Sequence, residues 1–161
     1  MALPLYLAST INRAPTFVNF ADVPMLKSGQ KIKVLSWNIQ FLAGNKNNHF
    51  FFDDGQDPWP SIATRQKTLK QIAEVIFTEQ SDIVLLQEVD DGAQRTNHED
   101  QLAELMALLP KEYGNHASTF YRQAIFVPHP ALMGSVGIKL STLSKYRTTQ
   151  ATRYALTGIQ S

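Results

Sequence analysis

The chain of 161 residues contains no cysteine. This absence excludes a disulfide framework, a zinc–thiolate site, an iron–sulfur cluster and a cysteine nucleophile. It leaves the compartment open between cytoplasmic and secreted, because secreted proteins without cysteine are also found. Residues 1–8 are apolar but include Pro4 and no basic residue, so they are weak evidence for the remnant of a leader.

An excess of charge of one sign is also lacking. Fifteen Lys and Arg against fourteen Asp and Glu give a formal net charge of +1, so no overall field indicates a nucleic-acid-binding protein. No apolar run approaches the roughly 20 residues of a membrane span, and we expect none. Residues 131–161 carry only basic charged residues, which favours a solvated basic surface over a phosphate-binding groove. These residues are Lys139, Lys145, Arg147 and Arg153.

The composition that remains is globular, with 43% hydrophobic and 18% charged residues. We expect an irregular segment over residues 1–30, which is rich in proline, followed by an α/β domain over residues 31–161. Residues 31–39 and 82–89 predict strands, and Ser61 is positioned to cap a helix between them. A strand, a helix and a strand in this order predict a parallel crossover unit. The apolar face of the predicted helix consists of Leu69, Ile72, Ala73 and Ile76.

The second part of the domain shows weaker signals. Residues 97–100 resemble a capping box, which predicts a second helix that begins after Asn97 and ends before Pro110. Residues 124–127 and 137–143 predict further strands, with a turn at residues 128–130. The long polar loop at residues 44–59 includes Asp53, Asp54 and Asp57, without the spacing of a calcium loop.

Two polar residues end the two predicted parallel strands. Asn38 ends the first strand and Glu88 ends the second. Parallel neighbours place their carboxyl ends side by side, where open α/β sheets bind ligands. An amide and a carboxylate are hard ligands suited to Mg²⁺ and to phosphoryl oxygens. The alternative is that Asn38 and Glu88 merely terminate two buried strands, and the pattern alone does not decide. We expect Asp90 and Asp91, which follow, to be solvated turn residues.

Three segments in order resemble the opening of the endonuclease/exonuclease/phosphatase superfamily. They are Leu-Ser-Trp-Asn-Ile-Gln at 35–40, Asp-Ile-Val-Leu-Leu-Gln-Glu-Val-Asp at 82–90, and Gly-Ile-Lys-Leu-Ser-Thr-Leu-Ser-Lys-Tyr at 137–146. The resemblance extends from about residue 31 to residue 153. It implies an α/β fold that is the N-terminal half of a four-layer sandwich, in which two mixed sheets pack face to face with helices outside.

The resemblance also implies site residues and a cofactor. Glu88 matches the principal metal ligand, and Asn38 matches a residue that contacts the scissile phosphate or the metal environment. The implied cofactor is Mg²⁺, for which Mn²⁺ can substitute. Lys145 and Arg153 are weaker candidates for contacts with substrate phosphate, and surface residues of a basic tail are the favoured alternative. A structural turn is the favoured role of His129.

The sequence lacks the catalytic residues that the resemblance places in the second half of the family fold. No Gly-Asp-x-Asn segment and no Ser-Asp-His segment occurs, and none of the four histidines follows an aspartate. We expect a partial gene record, in preference to a natural truncation or a chain completed by a partner. The parent protein is then expected to be a Mg²⁺-dependent phosphoesterase, with this chain inactive alone until the missing half completes its core. The substrate is a phosphoester in a nucleic acid, a small phosphodiester or a phospholipid head group. A non-catalytic binding or scaffold module with the same fold is the alternative function.

Overall fold

The computed structural model describes residues 15–19, 23–44, 59–128 and 133–154. Within these ranges the chain forms one mixed five-stranded sheet in the order β1-β4-β5-β3-β2, with two helices. The predicted α/β class is therefore confirmed. No helix in these ranges is long and apolar enough to cross a membrane. The elements are β1 (Thr16–Val18), β2 (Val34–Asn38), α1 (Ile62–Glu79), β3 (Ile83–Asp90), α2 (Gln101–Leu108), β4 (Asn115–Val127) and β5 (Gly134–Ser144).

The parallel crossover unit is present as predicted. β2 and β3 pair in parallel and α1 connects them, whereas the other neighbours in the sheet pair antiparallel. Ser61 caps α1, because its hydroxyl oxygen accepts a hydrogen bond from the Thr64 amide at 3.1 Å. The cap satisfies one of the amides that the first turn of a helix leaves without a partner.

The predicted cap of the second helix was wrong by three residues. Asp100 caps α2, since its side chain accepts hydrogen bonds from the amides of Leu102 and Ala103. Asn97 instead adopts a left-handed conformation, with φ 56°, at the end of a short 3₁₀ turn over Gln94–Thr96. Asparagine suits both positions, because it tolerates left-handed φ as readily as it caps helices.

The hydrophobic core lies between α1, α2 and one face of the sheet. Val84 and Leu86 of β3 and Leu143 of β5 pack with the apolar faces of both helices, and all three are 0–1% exposed. The opposite face, here called the open face, carries Leu140, which is 42% exposed. Only one sheet forms in the described part of the chain, so the four-layer sandwich is not confirmed there and stays a prediction.

The expectation of an irregular segment over residues 1–30 was wrong for Thr16–Val18, which form β1. Three residues give no periodic signal, and β1 exists because β4 offers an edge to it, with Thr16 paired to Ser118. The hairpin strands β4 and β5 are also longer than predicted. Residues 45–58 and 129–132, which include the predicted polar loop and His129, lie outside the described residues.

Candidate functional site

The structure brings the two predicted strand ends together. Asn38 pairs with Gln87 in the parallel register of β2 and β3, and the Ile39 amide donates to the Gln87 carbonyl at 3.0 Å. Asn38 and Glu88 are therefore on adjacent strands and one residue apart in register. The predicted adjacency of the two strand ends is therefore present, and a shared site stays a prediction.

A β-bulge turns Glu88 away from the hydrophobic core. The register with β5 shifts between Leu86 and Val89, both of which are buried among the core residues. In a regular strand the side chains alternate, so Glu88 would face the same side as Leu86. The bulge adds one residue between Leu86 and Val89, so both of these side chains face the core while Glu88 does not. It also leaves Glu88 with φ 56°, a left-handed conformation that is costly outside glycine.

The carboxylate of Glu88 carries an oxygen that no group in the structure satisfies. Its Oε2 atom is buried and has no hydrogen-bond partner. A buried acceptor without a partner is destabilising, and a bound ion, water molecule or ligand would satisfy it. Three other described side chains, Ser81, Gln123 and Ser141, also have a buried oxygen without a partner, but Glu88 is the one carboxylate among them. A divalent cation fits this atom, because carboxylate oxygens are preferred ligands of Mg²⁺.

Asn38 is held by the turn that follows it. Its Oδ1 atom accepts a hydrogen bond from the Gln40 amide at 2.9 Å. This arrangement fixes the side chain and leaves its Nδ2 group as a donor. The turn itself, Gln40–Leu42, consists of three consecutive residues with φ between 44° and 62°. Such backbone strain concentrates at functional sites, where the surrounding structure maintains it.

Gln101 clamps the two strand ends to each other. It is 1% exposed, and its Oε1 atom accepts from the Asp90 amide at 3.0 Å while its Nε2 atom donates to the Phe41 carbonyl at 2.9 Å. One buried amide therefore joins the end of β3 to the turn after β2. Sequence reasoning missed Gln101, because a glutamine in the first turn of a helix resembles an exposed polar residue.

The expectation that Asp90 is solvated was wrong. Asp90 is fully buried, and Arg95 donates to its carboxylate through Nε and Nη2 at 2.8 Å each. The Arg95 guanidinium also stacks over the Phe41 ring at 3.6 Å from the centroid. Asp91 is partly buried and forms an ion pair with Lys139. Both aspartates therefore hold the loop after β3 and are already neutralised by cations.

Tyr121 is a further residue near Glu88. Burial raises the pKa of the Tyr121 phenol, and the negative charge of Glu88 raises it further. The phenol is therefore protonated at neutral pH and can donate a hydrogen bond. No local pattern in the sequence indicated Tyr121, because a second bulge between Phe120 and Arg122 sets its position.

A groove of about 660 Å³ runs beside Asn38 between β2 and α1. Its lining includes Thr64, Lys67, Thr68 and Gln71, and Lys67 is the one charged residue among the described residues that line it. Hydroxyl, amide and ammonium groups are donors suited to phosphate oxygens. The groove is polar on the helix side and continuous with the Asn38 strand end.

The two weaker candidates for phosphate contacts lie apart from each other. Lys145 follows β5, whose last residue pairs with Ile83 at the amino end of β3. Ile83 and Glu88 are five residues apart along β3, so the end of β5 lies about 16 Å from Glu88 in the strand direction. Lys145 forms an ion pair with Glu112 at 2.9 Å, and the structure does not bring it to the site. Burial is the largest single influence on the pKa of Lys145 and lowers it. The hydrogen bonds and charges of Glu112 and Tyr113 together outweigh burial, so the pKa of Lys145 is raised.

Arg153 lies at the level of the site but two strands away. Its Nη1 atom donates to the Phe120 carbonyl at 2.5 Å, and Phe120 pairs with Lys139, which pairs with Val89. Two strand spacings correspond to about 10 Å. A contact between Arg153 and substrate phosphate stays a prediction.

The described histidines do not form a metal site. His98 and His116 each place Nδ1 near a backbone carbonyl, of Gly92 and Gly114 respectively. No group of three or more His, Asp or Glu side chains in the described ranges could hold a metal ion. The described residues therefore offer no complete set of protein ligands for a metal ion.

The described residues thus form an α/β fold in which the carboxylate of Glu88 and the amide of Asn38 lie on adjacent strands beside a strained turn. The match to the model of the endonuclease/exonuclease/phosphatase family covers residues 35–158, well over half of the chain. The chain therefore belongs to this family, whose members are typically hydrolases of phosphoester bonds. A search of curated proteins found no match, and neither did a search of solved structures.

Proposed function

We propose that this chain provides the metal-binding carboxylate of a Mg²⁺-dependent phosphoesterase. The observation that carries the proposal is the buried Oε2 atom of Glu88, which has no partner and lies one residue in register from Asn38. When bound, Mg²⁺ polarises a phosphoryl oxygen and stabilises the leaving group. Glu88 would hold the ion, with Mn²⁺ as an alternative.

Asn38 would orient the scissile phosphate. The hydrogen bond from the Gln40 amide holds Oδ1 of Asn38, so the Nδ2 group would be the donor to the phosphate. Tyr121, with its raised pKa, would donate a second hydrogen bond on the Glu88 side. These groups bind and position the phosphate; activation of the attacking water requires a base that none of the described side chains supplies at this site.

The first experiment measures metal binding by the full chain. Mn²⁺ is added during nuclear magnetic resonance spectroscopy, and paramagnetic broadening of amide signals identifies the residues near the ion. Signals from Asn38, Glu88 and Tyr121 should broaden first, because Glu88 presents an unsatisfied oxygen. Glu88→Gln should abolish this local broadening, since it removes the charge and keeps the shape.

Glu79→Gln is the matched control. Glu79 forms an exposed ion pair with Lys33 at the other end of the sheet, so its substitution should leave the broadening at Glu88 unchanged. Broadening that persists in Glu88→Gln would contradict the proposed ligand. No broadening at all in the folded protein would favour a non-catalytic binding or scaffold module.

The second experiment tests the expectation that the chain alone is inactive. Hydrolysis of bis(p-nitrophenyl) phosphate with Mg²⁺ should not exceed the rate in buffer, because the sequence has no Ser-Asp-His segment of the kind that the family uses to activate water. Hydrolysis that depends on Mg²⁺ and is lost in Glu88→Gln would show that the residues present suffice for catalysis.

A further inference from the structure

The strand pairing that leads to Glu88 stops just before it. The pairing of β2 with β3 ends at Asn38 opposite Gln87, and the pairing of β3 with β5 passes from Leu86 to Val89. Neither pairing includes Glu88, although its φ of 56° lies in the left-handed region. Such a backbone persists only where the surrounding structure holds it. The contacts that hold β3 beyond Glu88 therefore determine where its carboxylate lies.

Gln101 supplies such a contact, because its side chain continues the pairing of β2 with β3. The Asp91 amide donates to the Gly137 carbonyl of β5 at 2.9 Å. The preceding amide, of Asp90, points to the opposite edge of the strand, where β2 has already ended. There it donates to Gln101 Oε1 at 3.0 Å, and Gln101 Nε2 donates to the Phe41 carbonyl at 2.9 Å. A side-chain amide accepts and donates as a peptide group does, so Gln101 takes the place that a further residue of β2 would have.

Both partners of Gln101 are next to the candidate site in the chain. Asp90 is two residues after Glu88, and Phe41 is three residues after Asn38. Phe41 also has a left-handed backbone, with φ 44°. The two hydrogen bonds of Gln101 therefore join the two strained segments that carry the candidate site residues.

Gln101 is itself fixed in the fold. It is the first residue of α2 and is 1% exposed, and the next residue, Leu102, packs in the hydrophobic core. Asp100 caps the helix by accepting hydrogen bonds from the amides of Leu102 and Ala103 at 3.1 Å each. The link between the strand ends is thus attached to the core through α2.

We propose that Gln101 is a positioning residue for the Glu88 site, which keeps the Glu88 carboxylate and the Asn38 turn at a fixed separation. Groups that orient metal ligands without contacting the metal change its affinity by about tenfold or more when they are removed. The effect on metal affinity rests on the proposed function. The effect on the conformation of Glu88 does not, and it can be measured without metal.

The alternative is that Gln101 only stabilises the fold, as a satisfied buried amide does. Thr96 provides the matched control, because it is 0% exposed and its hydroxyl donates to Oδ2 of the same Asp90 at 3.1 Å. Its other acceptor is the Ala93 carbonyl, so its hydrogen bonds do not reach the chain after β2. Thr96→Val should therefore lower stability without loosening the link between the strand ends.

The first measurement is made on the full chain without metal. The one-bond Cα–Hα coupling in nuclear magnetic resonance spectra is smaller at positive φ than at negative φ, so it reports the backbone conformation of Glu88. Gln101→Met keeps the length of the side chain and removes both hydrogen bonds. The Glu88 coupling should rise toward that of an extended residue in Gln101→Met and stay unchanged in Thr96→Val.

The second measurement is the affinity for Mn²⁺, from the broadening of amide signals near Glu88. Gln101→Met should weaken this affinity about tenfold, because the carboxylate is no longer held in place before the ion binds. Thr96→Val should leave it unchanged. Urea denaturation followed by circular dichroism should show that each variant is folded under the conditions of both measurements.

Gln101→Asn is the second variant, in case Gln101→Met does not fold. Its amide retains the polar groups but is one methylene too short to reach both partners, so the same changes at Glu88 are expected.

An unchanged Glu88 coupling in a folded Gln101 variant would overturn the positioning role, and so would an equal change in Thr96→Val. A changed coupling with unchanged affinity for Mn²⁺ would overturn the effect on metal binding. If the coupling changes only in the Gln101 variants but the original chain binds no Mn²⁺ at Glu88, the positioning role stands and the proposed function fails.

Discussion

At the scale of single residues, Glu88 differs from the other acidic residues of the described chain. Asp90, Asp91, Glu99 and Glu112 each have a basic partner, whereas one oxygen of Glu88 is buried without any partner. Its backbone is also held in the left-handed region. The chain therefore maintains an unfavourable arrangement at one carboxylate, which is the physical reason for placing a ligand there.

The charge of Glu88 should be measurable through Tyr121. Glu88→Gln should lower the pKa of Tyr121, because the carboxylate disfavours the tyrosinate form. Ultraviolet titration of the phenols at high pH measures this shift. In Glu79→Gln, where the lost charge is at the other end of the sheet, the Tyr121 titration should be the same as in the original chain.

The interaction of Glu88 with Tyr121 should make the free energy of unfolding depend on pH. Because the pKa of folded Tyr121 is raised, its protonated phenol stabilises the fold below the ordinary tyrosine pKa, near 10, and this stabilisation is lost as the pH rises through the folded value. The loss should be smaller in Glu88→Gln. An equal loss in both chains would contradict the interaction.

Arg95 should be among the most sensitive positions. Arg95→Ala should destabilise the fold by about 3–5 kcal/mol, because it leaves the fully buried Asp90 carboxylate without its partner. Urea denaturation measures the change. Lys33→Ala, which breaks an exposed ion pair with Glu79, should cost less than about 1 kcal/mol. Similar losses for both would indicate that Asp90 is hydrated in solution.

At the scale of elements, the two bulges define the site more than the strands do. The first, in β3, turns Glu88 away from the core, and the second, in β4, sets the position of Tyr121. β5 lies between them and passes close to the chain after β3. At Gly137 a Cβ atom would stand 1.9 Å from the Asp91 carbonyl oxygen.

Gly137→Ala should therefore destabilise the fold by about 3 kcal/mol or more, because the clash is with backbone and cannot be relieved by a rotamer change. Gly92→Ala is the control: φ is +72° there, but the space is open, and the cost should be about 1–2 kcal/mol. Thermal denaturation of both variants measures which substitution destabilises the fold more. The reverse order would mean that β5 moves away from Asp91 without difficulty.

At the scale of the whole molecule, the two faces of the sheet are unequal. The helices cover one face, where Leu86 is 1% exposed, and the open face leaves Leu140 42% exposed. A groove of about 470 Å³ remains on the open face beside residues 150–152. Leu86→Ala should cost about 2–5 kcal/mol, and Leu140→Ala less than about 1 kcal/mol.

The comparison of these two variants by urea denaturation tests whether the open face is bare in solution. A cost at Leu140 as large as that at Leu86 would show that something covers the open face, such as a second copy of the chain. Sedimentation velocity would then detect the dimer. A monomer with the unequal costs confirms one helix-covered sheet.

The sequence alone determined β2, α1 and β3 and the two strand ends, whereas it missed β1 and underestimated the length of β4 and β5. The apolar pattern predicted β2 and β3, and Ser61 predicted the start of α1 between them. These features depend on residues that are close together in the sequence, and the structure confirms them. The parallel crossover followed from the handedness of such units, so the adjacency of Asn38 and Glu88 also followed. A polar residue at the end of an apolar strand is a local feature, so the sequence pattern alone identifies it.

Only the tertiary structure decided which way these side chains face and what holds them. The bulge at Glu88, the clamp of Gln101, the burial of Asp90 and the separation of Lys145 from the site all depend on register between strands distant in sequence. A shift of one residue in the pairing register moves every side chain of a strand to the opposite face of the sheet. A local sequence pattern does not show which register the strands adopt. The sequence thus determined which polar groups lie at the ends of β2 and β3, and long-range pairing determined which other groups lie beside them.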